Sequence, residues 1–222
     1  LVGSEMCIRD SYGSLLQTYA TCKVFEKLGL ETEVIDYVRP NASETEEIKA
    51  GVVAKGYEKK PVKKALFIIS KKIENKRRKK FSEEFLKKTV SMTKRYSSFD
   101  ELKMNPPIAD IYCTGSDQTW NSEYNGGFLP AYFLEFAPTG KKRIGYAISI
   151  GMDEIPEKEL EQTKNAVLKY SAISVREDSA VKLIKKLGYE SVQQVLDPTL
   201  GLSLEDWKPL ICLLYTSDAA DE

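Results

Sequence analysis

Histidine is absent from all 222 residues. The side chain that most often serves as a neutral-pH acid, base or metal ligand is therefore missing. Cysteine is scarce: the four are Cys7, Cys22, Cys113 and Cys212, each far from the others. That spacing gives neither a disulfide framework nor a metal-binding pair, so no metal is expected, and a reducing cytoplasm suits the chain best. Net charge is also absent, with 33 basic and 33 acidic residues. No excess of positive charge marks the whole chain for nucleic acid. No apolar run approaches the ~20 residues that a membrane span requires, and no secretory leader is visible.

The two ends do not match what lies between them. Leu1–Asp10 and Cys212–Glu222, back-translated, resemble the two transposase adapters used in sequencing libraries. Residues 1–11 and 212–222 are accordingly read as added tails and kept out of fold reasoning. Ser11 straddles the junction. On this reading a first strand has been lost before residue 12, and the parent continues beyond residue 211.

Between the tails the pattern alternates. Residues 14–28 place Leu16, Tyr19 or Ala20, Val24 and Leu28 at helical spacing, and Gly29 closes the helix. Glu33–Tyr37 is a short strand, followed by a turn at 39–41. Ala109–Cys113, Arg143–Ile150, Ala172–Val175 and Val192–Leu196 read as buried strands. Helices are expected from Ile155 to about Tyr170, with Leu160, Val167 and Leu168 inward, and from Asp178 to Leu187. Such strand–helix alternation predicts an α/β fold, a Rossmann-like parallel sheet with helices on both faces.

Residues 41–108 break the rhythm. From Pro61 to Arg95 there are 13 basic and 3 acidic residues, and Leu66, Ile69, Ile73, Phe81, Phe85 and Leu86 recur at helical spacing. Two or three amphipathic helices inserted between strands are expected, closed by Asn105-Pro106-Pro107. The run Lys76–Lys80 suits membrane headgroups or an anionic glycan, or is simply a solvated basic face.

Polar residues cluster where the strands end. Gly115, Ser116, Asp117, Gln118, Thr119, Trp120 and Asn121 follow one strand; Arg176 and Asp197 follow two others; Tyr12, Gly13 and Ser14 open the first helix, with Gln17 one turn on. In an open parallel sheet these positions share the edge where ligands bind. A helix start favours anions, and an arginine fork suits carboxylate or phosphate. The plainer alternatives are a solvated turn with Trp120 folded into the core, an ion pair from Arg176 to Glu177 or Asp178, a turn cap at Asp197, and an exposed Gln17.

Five segments resemble the polysaccharide pyruvyl transferase family in order and spacing: Tyr-Gly-Ser-Leu-Leu-Gln at 12–17, Gly-Ser-Asp-Gln-Thr-Trp-Asn at 115–121, Ala-Tyr-Phe-Leu-Glu-Phe-Ala-Pro at 131–138, Ser-Val-Arg-Glu at 174–177 and Leu-Asp-Pro-Thr at 196–199. Thr119 stands where the family usually has an aliphatic residue. The family's later Ser-x-Arg-x-His segment lies beyond residue 211. The resemblance implies the N-terminal part of a two-domain, GT-B-like architecture: a first Rossmann-like domain over 12–170 carrying the 41–108 insertion, then the start of a second over 171–211 or the last strands of the first.

The activity it implies is transfer of the pyruvyl group of phosphoenolpyruvate onto two sugar hydroxyls as a ketal, with no further cofactor and with the missing histidine as proton donor. Asp117 and Arg176 are then the expected catalytic residues. Tyr12, Gly13, Ser14, Gln17, Gly115, Ser116, Gln118, Trp120, Asn121 and Asp197 are expected to contact substrate. The fragment alone is expected to be inactive. A nucleotide-sugar glycosyltransferase of similar architecture and a non-catalytic binder of anionic glycans are the competing expectations.

Overall fold

The computed structural model describes residues 2–4, 12–39 and 44–218. Seven parallel strands form one sheet in the order β3-β2-β1-β4-β5-β6-β7. They are β1 Val2–Ser4, β2 Glu33–Tyr37, β3 Met92–Tyr96, β4 Ile111–Thr114, β5 Lys142–Ile148, β6 Ala172–Val175 and β7 Gln193–Gln194. The strand order reverses between β1 and β4. There the crossovers leave in opposite directions and open a crevice beyond the carboxyl ends.

Successive residues of a strand face opposite sides. Val34 and Ile35 show the consequence by feeding two separate cores. On one face, α1 (Tyr12–Lys27), the end of α3 (Pro61–Thr89) and α8 (Leu204–Asp218) enclose Leu15, Tyr19, Phe85, Leu86 and Leu210. On the other, α4 (Phe99–Met104), α6 (Glu157–Val167) and α7 (Asp178–Lys186) cover Tyr112, Ile148, Val167, Ile173 and Ile184. The remaining helices are α2 (Glu44–Ala54) and the short α5 (Ser122–Asn125). The parallel sheet with helices on both faces is as the alternation predicts.

Four details differ from the sequence reading. First, the 41–108 insertion holds three helices, α2, α3 and α4, in line with the two or three expected, but it also holds a strand that the pattern did not show: the 29-residue α3 returns the chain to an edge strand, β3. Second, the inner stripe of α1 is Leu15, Tyr19, Cys22 and Phe25, while Leu16 and Leu28 face water. Third, α6 turns Glu159, Thr163, Ala166 and Val167 inward, leaving Leu160 and Leu168 exposed. In α1 two apolar series interleave at 3–4 spacing and packing selects one; in α6 the inward face includes Glu159 and Thr163, which an apolar pattern does not mark.

The fourth difference concerns the tails. Val2–Ser4 fills the slot where a lost first strand was expected, pairing Gly3 with Val34 on one side and with Cys113 on the other. Ladder hydrogen bonds are made by backbone groups, so an extended tripeptide pairs there whatever its origin. At the other end α8 continues past residue 212. The turn expected at Arg39-Pro40-Asn41 and the junction at Ser11 fall outside the described residues, apart from Arg39.

Residues 128–137 are consecutive tight turns rather than a regular element, yet Ala131, Tyr132, Phe133, Leu134 and Phe136 are buried. A buried turn needs its carbonyls satisfied. Tyr132 carbonyl accepts from Thr114 Oγ1 at 3.0 Å and from Trp120 Nε1 at 3.1 Å. Since the Thr114 hydroxyl proton is committed there, Tyr170 is the donor in its 2.7 Å contact with Thr114. Burial pushes the Tyr170 phenol far above its ordinary value, so it stays a donor.

Deleting residues 1–4 leaves facing, unpaired edges on β2 and β4. The melting temperature is expected to fall by at least about 4 °C, at roughly 2–4 °C per kcal/mol for a chain of this size. A scan with no shift would show β1 to be dispensable.

Candidate functional site

The first turn of α1 gathers the site. Ser14 and Gln17 lie three residues apart and share one helix face, about 5–6 Å between Cβ atoms. Ser14 Oγ donates to Asp117 Oδ2 at 2.8 Å, joining α1 to the loop after β4 across the switch point. Gln17 Nε2 donates to Asp197 Oδ2 at 2.8 Å, joining α1 to the turn after β7. The same Asp197 oxygen accepts from Arg176 Nη1, at the end of β6. Residues 103 and 180 positions from their α1 partners thus converge on one end of the sheet.

Asp197 is saturated. Its other oxygen, Oδ1, accepts from the Thr199 N–H at 2.9 Å and the Thr199 hydroxyl at 2.6 Å, capping the 3-10 turn Pro198–Gly201. Burial pushes its pKa up, but the hydrogen bonds from Thr199, Gln17 and Arg176 outweigh that, and the net direction is below the usual carboxylate value. Arg176 also approaches Glu177, Nε to Oε1 at 3.8 Å, and its buried Nε has no hydrogen-bond partner. Ser149 Oγ holds that Glu177 oxygen at 2.7 Å.

An open depression of about 760 Å³ lies against Arg176, lined also by Glu177, Gln194, Val195, Leu196 and Asp197. It sits at the ends of β6 and β7. Asp117 and Ser14 do not line it; they belong to the switch-point crevice on the far side of the Arg176–Asp197 pair. The expected site residues therefore form two adjoining groups held together by α1.

The loop 115–121 is built more for shape than for contact. Gly115 and Ser116 are buried, and Ser116 Oγ has no hydrogen-bond partner. Asp117 Oδ1 accepts from the Gln118 N–H at 2.8 Å. Asn121 caps α5 by accepting from the Tyr124 N–H, and its amide donates to Gln118 Oε1 at 3.2 Å. Gln118 and Asn121 press on Gly151, where an added Cβ would lie 2.9 Å from Gln118 Cδ and φ is +62°. Only glycine suits both restrictions.

Trp120 departs from the expectation of substrate contact. It is 3% exposed, stacked on Phe133 at 5.0 Å and edge-on to Tyr170 at 5.3 Å. Its one donor is spent on Tyr132. Its large apolar area is worth more in the core than in a crevice. Tyr12 is exposed with its ring against Phe81 at 5.2 Å, and Gly13 is exposed beside it.

Glu177, Thr199 and Gln194 were not singled out beforehand as site residues. Gln194 Nε2 donates to the Arg176 carbonyl at 3.0 Å. Only their adjacency to Arg176 and Asp197 in sequence, or the strand pairing of β6 with β7, points to them. Among the described residues no group of three metal-ligating side chains occurs, and no helix is long and apolar enough to cross a membrane.

A family model described as polysaccharide pyruvyl transferase matches residues 12–217. The chain belongs to this family. Searches of curated proteins and of solved structures returned no match. The family is one of transferases, and its description implies a pyruvyl donor and a saccharide acceptor. The family match spans α1, the 115–121 loop, Arg176 and Asp197, so both groups of site residues lie within it.

Because its pKa is lowered in the fold, Asp197 contributes stability above the unfolded carboxylate value of about 3.9. That contribution is lost as pH falls through the folded value. The melting-temperature gap between the parent chain and Asp197→Asn is expected to be constant from about pH 5 to 8 and to shrink below about pH 4. A gap that persists unchanged at low pH would show that the carboxylate charge is not what holds the turn.

Proposed function

We propose that the parent protein transfers the pyruvyl group of phosphoenolpyruvate to two hydroxyls of a saccharide, forming a cyclic ketal and releasing phosphate. The observation that carries this reading is Arg176. It is a half-buried guanidinium held by Asp197 on one side, with an Nε that makes no hydrogen bond and stands 3.8 Å from Glu177, and an open depression beside it, in a chain of this family.

The bookkeeping of the reaction sets what the site must supply. The acceptor hydroxyls lose two protons; the methylene carbon of the enol gains one, and the other leaves with the phosphate. Two C–O bonds form at the pyruvyl carbon, and the bond to phosphate breaks. The donor carries a carboxylate and a phosphate, so fixed N–H groups must meet them. Arg176 is assigned to one of these anions, with Asp197 fixing the plane of its fork. One carboxylate on one guanidinium edge leaves the others able to donate.

Asp117 is assigned to the acceptor hydroxyl. Ser14 Oγ and the Gln118 N–H donate to its two oxygens and fix the direction of the carboxylate. Gly13, Ser14, Gly115 and Ser116 would supply backbone or hydroxyl contacts. The resemblance assigns the enol-carbon proton to a histidine, and these 222 residues hold none, so the chain alone is expected to release no phosphate.

A bidentate charge-assisted contact is worth about 1.5–3 kcal/mol. Arg176→Ala in the full-length parent is therefore expected to lower kcat/KM for phosphoenolpyruvate roughly 10- to 150-fold. Arg176→Lys keeps the charge but not the fork and should recover only part of that. Product analysis with labelled phosphoenolpyruvate accompanies the kinetics. A glycoside made from a nucleotide sugar, in place of a pyruvate ketal, would sink the proposal. If activity of both variants falls only in step with melting temperature, Arg176 is a structural partner of Asp197 and the donor lies elsewhere.

A further inference from the structure

The first half of α3 presents an apolar stripe that nothing in the described residues covers. Val62, Leu66, Ile69 and Ile73 are 70%, 63%, 56% and 51% exposed. Their spacing of four, three and four places all four within about 60° of one another on the helix, over a length of about 17 Å. They lie opposite the side on which Phe67, Lys71, Asn75, Arg78 and Ser82 are turned inward. Isolated exposed apolar residues need no explanation, but a continuous stripe on one helix does.

Charge decides what the stripe fits. Between Pro61 and Lys80 there are nine basic residues and one acid, Glu74. At 100° per residue, Lys63 and Arg77 border the stripe on one side and Lys72 and Lys76 on the other. A second copy of α3 laid on the stripe would set two such helices side by side, with like charges at every flank. A surface of anionic headgroups over acyl chains matches both features. The apolar side chains enter the acyl boundary, and the long lysine stems reach back to the headgroups.

We propose that α3 is an interfacial membrane-docking helix that lies in the plane of an anionic lipid surface through Val62, Leu66, Ile69 and Ile73. The basic residues extend the binding face in the same direction, since Lys76, Arg77 and Lys80 continue the line of the stripe. Eight residues beyond Ile73, about 12 Å along the helix, Phe81 touches Tyr12 at the start of α1. Docking therefore holds the carboxyl edge of the sheet close to the lipid surface. This assignment stands on the helix alone and does not depend on the donor or on Arg176.

The test is co-sedimentation of the chain with vesicles of phosphatidylcholine alone and with vesicles of phosphatidylcholine and phosphatidylglycerol in equal parts. Binding is expected only with the anionic lipid, and high salt should weaken it. Leu66→Ser/Ile69→Ser/Ile73→Ser should lower affinity at least about tenfold, as should Lys72→Glu/Lys76→Glu. These side chains are exposed, so melting temperature should hold in both variants; if the serine variant fails to fold, the charge variant still decides. The proposal is overturned if the chain ignores anionic vesicles, or if binding survives the serine substitutions. It is also overturned if a soluble anionic polysaccharide displaces the vesicles at equal charge concentration. Light scattering that reveals a dimer abolished by the serine variant would assign the stripe to a second copy instead.

Discussion

The contact on which the site depends is the carboxylate of Asp197, whose two oxygens tie two distant parts of the chain to the turn that it caps. Gln17 comes from α1, Arg176 from β6 and Thr199 from the turn that Asp197 itself caps. A half-buried guanidinium without a counter-charge would be strongly disfavoured, and a half-buried carboxylate likewise. Paired and hydrogen-bonded, each makes the other tolerable. The Coulomb attraction of such a pair is largely offset by desolvation. What the arrangement supplies is geometry: breaking either side leaves a charge without its partner and a helix start without its anchor.

Asp197 also sets the limit on what Arg176 can do. An ion-paired arginine attracts an anion less strongly than a lone one. The loss is partial, because the pairing uses one edge of the guanidinium and Nε remains without a hydrogen bond. Glu177 stands 3.8 Å from that Nε but is held by Ser149. An incoming carboxylate or phosphate thus meets a cation whose direction is fixed, beside a competing Glu177 of which Oε1 accepts from Ser149 and Oε2 has no hydrogen-bond partner. That is preorganisation of the kind that lowers the cost of binding a charged donor.

How much of this was legible beforehand follows the physics of each signal. The bounds of β2 and β6 were readable because a short β-branched or aromatic run, flanked by turn residues, has few other outcomes. The strand β3 was not, because Met92–Tyr96 carries Thr93, Lys94 and Arg95. Polar side chains of this kind are what blunts an exposed sheet edge, and they erase the apolar signature. The inner face of α1 was misread where two apolar stripes competed, and that of α6 because Glu159 and Thr163 lie on it. Arg176 and Asp197 were legible as strand-end polar residues, but their mutual pairing was not. Sequence distance of 21 residues says nothing of contact until β6 and β7 are known to be neighbours. Trp120 was ambiguous for a reason that chemistry alone does not remove: its ring serves a crevice or a core equally well. The aromatic turn at 128–137 decides it, because Phe128 and Phe133 stack at 4.4 Å and Phe133 then offers its other neighbour, Trp120, a parallel face.

The orientation of Arg176 is finally traceable to an irregularity one strand away. β5 and β6 shift register between Gly145 and Ile148, and Ala147 takes φ of +53°, a conformation that costs a non-glycine residue about 1–3 kcal/mol. Ser174 sustains it by accepting from the Ala147 N–H at 2.9 Å and donating to the Gly145 carbonyl at 3.2 Å. A Cβ on Gly145 at the same bulge would fall 2.4 Å from Ile148 Cδ1, so a larger residue there has to displace that buried methyl. The shifted strand delivers the Ile148 carbonyl to the Arg176 N–H at 3.0 Å and brings Ser149 to Glu177. The strain at Ala147 is thus spent on fixing the backbone of Arg176 from one side while Asp197 fixes its side chain from the other.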